Sequence, residues 1–176
     1  MDCNALTVVN FDCSCEATVS RLETYAAQGV DVHRLIPEKD DTDTEAALQL
    51  AFANSTGDIT IYGGTGSRLD HVLGNISILG QGLVHDRRVI LQDKNNRVRL
   101  VNQNVTLTKA EQFGTYISLF PFGNVVEGLT LRGFKYPLED DFLAGFTSLG
   151  VSNELVEDTG YITFDEGVLI IIESRD

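Results

Sequence analysis

Basic residues are scarce in this chain. Thirteen Lys and Arg face twenty-six Asp and Glu over 176 residues, a formal net charge of −13. A field of that sign repels nucleic-acid phosphates and anionic membrane surfaces, which disfavours non-specific binding to either. A local basic site inside an acidic protein remains open. Long apolar runs are lacking too: the longest, Val168-Leu-Ile-Ile-Ile172, is far short of the ~20 residues of a membrane span and fits a buried strand. The opening Met1-Asp-Cys-Asn has neither the basic start nor the apolar stretch of a secretory leader, so the cytoplasm is the expected location. Cysteine is confined to Cys3, Cys13 and Cys15, an odd number at one end and poor material for a disulfide framework. Cys13-x-Cys15 has no second Cys or Cys/His pair at a spacing that would complete a zinc site. There is no internal repeat and no low-complexity segment.

What is present is ordinary globular composition, 43% hydrophobic and 22% charged, enough to bury a core. The first half alternates. Apolar β-rich runs at Ala5–Phe11, Val30–Ile36 and Ile59–Tyr62 are each followed by helical spacing. The helices are expected over Glu16–Ala27, from the capping box Thr42-Asp-Thr-Glu45 to about Asn54, and along the stripe Leu69, Val72, Leu73, Ile76 and Leu79. Such alternation predicts parallel strands with crossover helices. Near residue 86 the pattern changes to short β-like runs. They are Val89–Gln92, Arg97–Val101, Val105–Thr108, Thr115–Phe120, Gly128–Phe134 and Ile162–Phe164, divided by turns such as Asp93-Lys-Asn-Asn96. That predicts an antiparallel sandwich or barrel. The expected fold is therefore an α/β unit over residues 1–85 and an all-β unit over residues 86–176. Three parallel strands are few for independent stability, so a further N-terminal piece, or another way of completing the sheet, is expected.

In open parallel sheets ligands bind beyond the C-terminal strand ends. Three loops leave those ends, carrying Asn10 and Asp12, then Lys39, Asp40, Asp41 and Asp43, then Gly63 to Asp70. Asp12, Asp40 and Asp43 offer carboxylate oxygens of the kind magnesium takes. Lys39 supplies a point charge and Arg68 a two-pronged fork for phosphate. Gly63, Gly64 and Gly66 let backbone N–H groups approach an anion, and the following helix N-terminus adds a favourable dipole. Asp70 is placed to orient a substrate hydroxyl or accept its proton. Taken singly, each feature also has a structural reading: acidic residues complement a helix N-terminus, and glycines make turns. The glycine run is neither a Walker A loop nor a full Gly-x-Gly-x-x-Gly.

Several long motifs in order resemble the thiamine pyrophosphokinase family. They are Pro37-Glu-Lys-Asp-Asp-Thr-Asp-Thr-Glu45, Gly63-Gly-Thr-Gly-Ser-Arg-Leu-Asp-His-Val-Leu-Gly-Asn-Ile76, Ser118-Leu-Phe-Pro121, Gly128 through Leu138, Ser148 through Glu154, and Ile172-Glu-Ser-Arg-Asp176. The resemblance implies an N-terminal α/β catalytic domain and a C-terminal thiamine-binding β-sandwich, paired as a homodimer. It implies Mg²⁺-dependent transfer of pyrophosphate from ATP to thiamine, giving thiamine diphosphate and AMP. By position it puts Asp12 and Asp43 on metal ligands with Asp40 beside them. It puts Lys39, Arg68 and Asp70 on nucleotide and substrate contacts, and Ser152 and Asn153 on a segment reaching thiamine across the dimer. Two departures stand out. Asn10 replaces a carboxylate of the family's Gly-Asp-Phe-Asp-Ser, which should lower metal affinity. The family's further upstream strands, with an Asp-Gly-Gly-Ala-like turn, have no room here, so a truncated start is expected. The alternatives are a catalytically impaired thiamine-binding module and a pyrophosphokinase for another hydroxymethyl substrate.

Overall fold

The computed structural model describes residues 7–9, 23–24, 26–28, 32–34 and 41–176. The chain forms two compact units, Met1–Thr56 and Gly57–Asp176.

In the first unit, β1 (Thr7–Val9) pairs in parallel with β2 (Val32–Arg34). Residues 23–24 and 26–27 are helical, in the stretch where the sequence predicts a helix between these strands. Helix α1 (Asp43–Asn54) starts where the capping box places it: the Glu45 N–H donates to Thr42 Oγ1 at 3.2 Å. Leu48 is its buried residue.

The second unit holds two sheets. The strands are β3 (Ile59–Tyr62), β4 (Val89–Gln92), β5 (Asn96–Val101), β6 (Val105–Thr108), β7 (Tyr116–Pro121), β8 (Val126–Arg132), β9 (Leu138–Leu143), β10 (Thr159–Thr163) and β11 (Leu169–Ser174). A five-stranded mixed sheet runs β3-β4-β5-β11-β7, and a four-stranded antiparallel sheet runs β6-β10-β8-β9. Alternation explains the layering. Ile117 and Leu119 of β7 with Leu169 and Ile171 of β11 enter one core with Leu107, Leu129, Leu131, Leu143 and Ile162 of the antiparallel sheet. Val89, Leu91, Val98 and Leu100 are buried at the alternate positions of β4 and β5. Near them run α2 (Leu69–Ile78) and the short α3 (Gln81–Val84). Gly80, between those helices, lies against Leu100, and Gly82 lies so close to Val89 that a Cβ would collide.

Most expected strands recur within a few residues. β9 and α3 were not anticipated, since Leu138–Leu143 carries three acidic residues and α3 is a single turn. Ile59–Tyr62, expected as the third strand of an N-terminal parallel sheet, pairs in parallel with β4 inside the mixed sheet. The parallel pairings among the described residues are thus β1–β2 and β3–β4. The sequence stripe on α2 is rotated from its expectation. Leu79 is 1% exposed and Asn75 7%, whereas Leu69 and Leu73 are 76% and 66% exposed.

Candidate active site

Of the expected site residues, Asp12, Lys39 and Asp40, with Asn10, lie outside the described residues. Asp43 opens α1 and sits in its first turn with Glu45, where the helix dipole favours a carboxylate. Among the described residues no three His, Cys, Asp or Glu side chains gather to hold a metal. The implied donor set of Asp12, Asp40 and Asp43 is oxygen-only, which suits Mg²⁺.

In the second unit the glycine loop is built by the β3–β4 pair. Tyr62 is in register with Gln92, so Gly63 and Asp93 leave the sheet side by side at the C-terminal strand ends. Gly63 has φ +79°, a left-handed conformation natural to glycine. Gly64 is buried, and a Cβ there would fall 2.6 Å from Leu91 Cδ1. Its carbonyl accepts a 2.8 Å hydrogen bond from Asn75 Nδ2. Gly66 has open space around it. Beside the loop, Asp93 organises the β4–β5 turn. Its Oδ1 accepts from the N–H groups of Asn95 and Asn96, each at 2.7 Å. Burial raises the Asp93 carboxyl, but hydrogen bonding from Thr65, Asn95 and Asn96 outweighs it and holds the group below the usual carboxylate range.

Arg68 precedes α2 and Asp70 lies in its first turn. Arg68 Nη2 meets Asp70 Oδ2 at 2.6 Å, Nε reaches Oδ1 at 3.2 Å, and the His71 N–H donates to Oδ1 at 2.9 Å. Both side chains are well exposed. The Arg68 hydrogen bonds, with that of His71, lower the Asp70 carboxyl from its ordinary value, and Asp70 in turn raises Arg68. While Arg68 stays on it, the Asp70 carboxylate is a weaker base than a free one.

Ser152 and Asn153 lie along β7. Ile117 and Asn153 exchange backbone hydrogen bonds at 2.8 and 2.9 Å. Ser152, exposed, has φ +58° and donates its N–H to Ser118 Oγ at 3.0 Å. The Asn153 amide is occupied: Oδ1 accepts from the N–H groups of Tyr136 and Glu154, and Nδ2 donates to the Tyr136 carbonyl. The Asn153 side chain therefore ties this segment to residue 136, and its backbone ties it to β7. Tyr62, Gln92, Arg97, Glu173 and Ile117 align across the sheet in one register line. Asn153 is bridged to its end. Five strand spacings of about 4.8 Å separate Tyr62 from Asn153, about 24 Å. Within one chain the glycine loop and Ser152 thus stand at opposite edges.

Sequence reasoning missed Asn75 and Asp93 as parts of this rim. Asn75 stands one helical turn from both Val72 and Leu79, but the apolar stripe through Leu69 and Leu73 fits the same period and hid it. Asp93 read only as turn chemistry.

By fold the second unit is a two-sheet body whose mixed sheet carries a glycine loop and an Arg–Asp pair on a parallel strand end. Residues 14–91 match the family model "Thiamin pyrophosphokinase, catalytic domain", and residues 102–169 match "Thiamin pyrophosphokinase, vitamin B1 binding domain". The chain is 36% identical over 167 residues to a thiamine pyrophosphokinase of Bacillus subtilis, covering 95% of this chain and 77% of that one. It is 25% identical to rice thiamine pyrophosphokinase 1, over 88% of this chain and 61% of that one. A crystal structure of thiamine pyrophosphokinase from Bacillus subtilis superposes with a TM-score of 0.85 at 37% identity, covering 96% of this chain and 78% of that one. One from Geobacillus thermodenitrificans gives 0.82 at 33%, covering 97% and 77%. The chain belongs to the thiamine pyrophosphokinase family, whose members are diphosphotransferases.

Proposed function

We propose that this chain transfers pyrophosphate from ATP to thiamine. The thiamine hydroxyl oxygen bonds to the β-phosphorus, the bridge to the α-phosphate breaks, AMP leaves and the hydroxyl proton is released. The single observation that carries this reading is the glycine loop running into the Arg68–Asp70 pair at the C-terminal end of β3. The loop N–H groups and the α2 N-terminus suit a phosphate chain, and Lys39 and Arg68 add charge. Arg68 exchanges its Asp70 contact for phosphate, and Asp70 then orients thiamine. Asp12, Asp40 and Asp43 would hold Mg²⁺, which when bound neutralises phosphate charge. Catalysis of this kind is mostly positioning and electrostatics.

We assign the catalytic part to residues 1–85 and the thiamine-binding part to residues 86–176, in a cytoplasmic homodimer. The separation of about 24 Å along the sheet favours a site shared between copies, with Ser152 of one chain serving the loop of the other. Asn153 acts by anchoring to Tyr136 and β7 the segment that carries Ser152.

AMP should appear only when ATP, thiamine and Mg²⁺ are all supplied. Asp43→Asn and Arg68→Ala should each lower its rate by roughly 100-fold or more. Well-folded protein yielding no thiamine-dependent AMP would overturn the reading. Asn10 in place of a carboxylate favours the second reading, a thiamine-binding module without turnover. Calorimetric thiamine binding with no AMP would establish it.

A further inference from the structure

The side chain of Asn75 does work that the site residues named above do not. It projects from α2 at a position where the sheet-facing arc otherwise carries Val72, Ile76 and Leu79, and it is 7% exposed. A buried amide is costly unless it is hydrogen-bonded. Its bond goes to the loop, from Nδ2 to the Gly64 carbonyl at 2.8 Å. The Gly64 peptide is clasped from both sides. A Cβ built on it would meet Leu91 Cδ1 at 2.6 Å and Asn75 Nδ2 at 3.2 Å. Leu91 belongs to β4 and Asn75 to α2, so one peptide is fixed by the neighbouring strand and by the helix that carries Asp70. The same contact ties two parts of the rim together, the loop N–H groups and the helix N-terminus.

We propose that Asn75 is a positioning residue: its amide sets the Gly64 peptide so that the N–H groups of residues 64–66 present a fixed cradle to the nucleotide phosphates. This rests on the reading of that loop as the phosphate site. Asn75 touches no substrate; it acts through the loop. An apolar residue of similar size would fill the same volume but leave the Gly64 carbonyl without its partner.

Two variants test this, Asn75→Leu, which keeps the volume, and Asn75→Asp, which keeps the shape and removes the donor. Amide hydrogen exchange over residues 63–67 is measured in each, with the steady-state KM for ATP and for thiamine and the thermal midpoint. The expected result is exchange at least tenfold faster in that segment and a KM for ATP at least tenfold higher, with the KM for thiamine within twofold of the parent. In Asn75→Leu unfolding stays a single cooperative transition with the midpoint lowered by only a few degrees, the cost of one unpaired carbonyl, which separates positioning from loss of fold. Wild-type exchange or wild-type KM for ATP in a folded variant overturns the proposal, as does an equal rise in both KM values. If the parent makes no AMP, the enzymatic reading has failed on its own. Calorimetric affinity for ATP with Mg²⁺ then replaces KM, and the exchange measurement decides the role of Asn75 independently.

Discussion

Gly63, Gly64 and Gly66 look equivalent in the sequence but serve three different purposes. Gly63 is needed for its φ of +79°, and Gly64 for its closeness to Leu91. Gly66 has neither constraint, with nothing within 4 Å of a built Cβ. If a phosphate approaches the backbone there, Gly66→Ala should raise the KM for ATP several-fold while leaving the denaturation midpoint unchanged. An unaltered KM would remove Gly66 from the phosphate site. The carboxylates add a pH dependence. The folded Asp93 carboxyl lies below its ordinary value, so its contribution is fully present above the unfolded pKa of about 4 and is lost as pH falls through the folded value. Asp93→Asn should therefore reduce the drop in thermal midpoint between neutral and strongly acidic pH. Thermal scans over that range read the difference.

At the scale of elements, α1 and α2 begin differently. α1 has a side-chain cap, Thr42 accepting from the Glu45 N–H, and two acidic residues in its first turn. Thr42→Ala should cost about 1 kcal/mol in chemical denaturation. α2 has no such cap; its preceding residue is Arg68, and no side-chain bond closes its end. Its first N–H groups depend on the Asp70 carboxylate, through His71, or on an anion, which is the condition a phosphate site requires. The α1 start was readable because a capping box is a local device. The buried arc of α2 was not, because Leu69 and Leu73 fit the helical period as well as Asn75 does. Tertiary contact with Gly64 and the β4 strand selected the arc containing Asn75 over one more apolar.

Over the whole molecule, compactness and family organisation divide the chain at different points. The compact units meet between Thr56 and Gly57, whereas the catalytic-domain family model continues to residue 91. The reason lies in β3, which carries the glycine loop but hydrogen-bonds to β4 in the same sheet as β5, β11 and β7. If the active site is shared by two copies, variants defective on opposite sides should complement. Arg68→Ala and Ser152→Phe proteins, each inactive alone, should regain up to roughly a quarter of wild-type turnover after mixing and subunit exchange, because half of the dimers then hold one intact site of two. No recovery by an exchanging mixture would place the whole site in one chain.

The amino-acid sequence alone determined most of the strand and helix order (though not β9 or α3), the capped start of α1, the glycine loop with Arg68 and Asp70, and the motifs that mark the family. These are local periodicities and contiguous chemical signatures, carried by neighbours along the chain. Only the tertiary structure decided that β3 joins the mixed sheet, that Asn75 rather than Leu73 faces inward, that the Asn153 amide is spent on Tyr136 and Glu154, and that Ser152 stands across the sheet from the loop. Each of these depends on hydrogen bonds between residues far apart in sequence or on the competition for buried space, and no window of neighbouring residues records either.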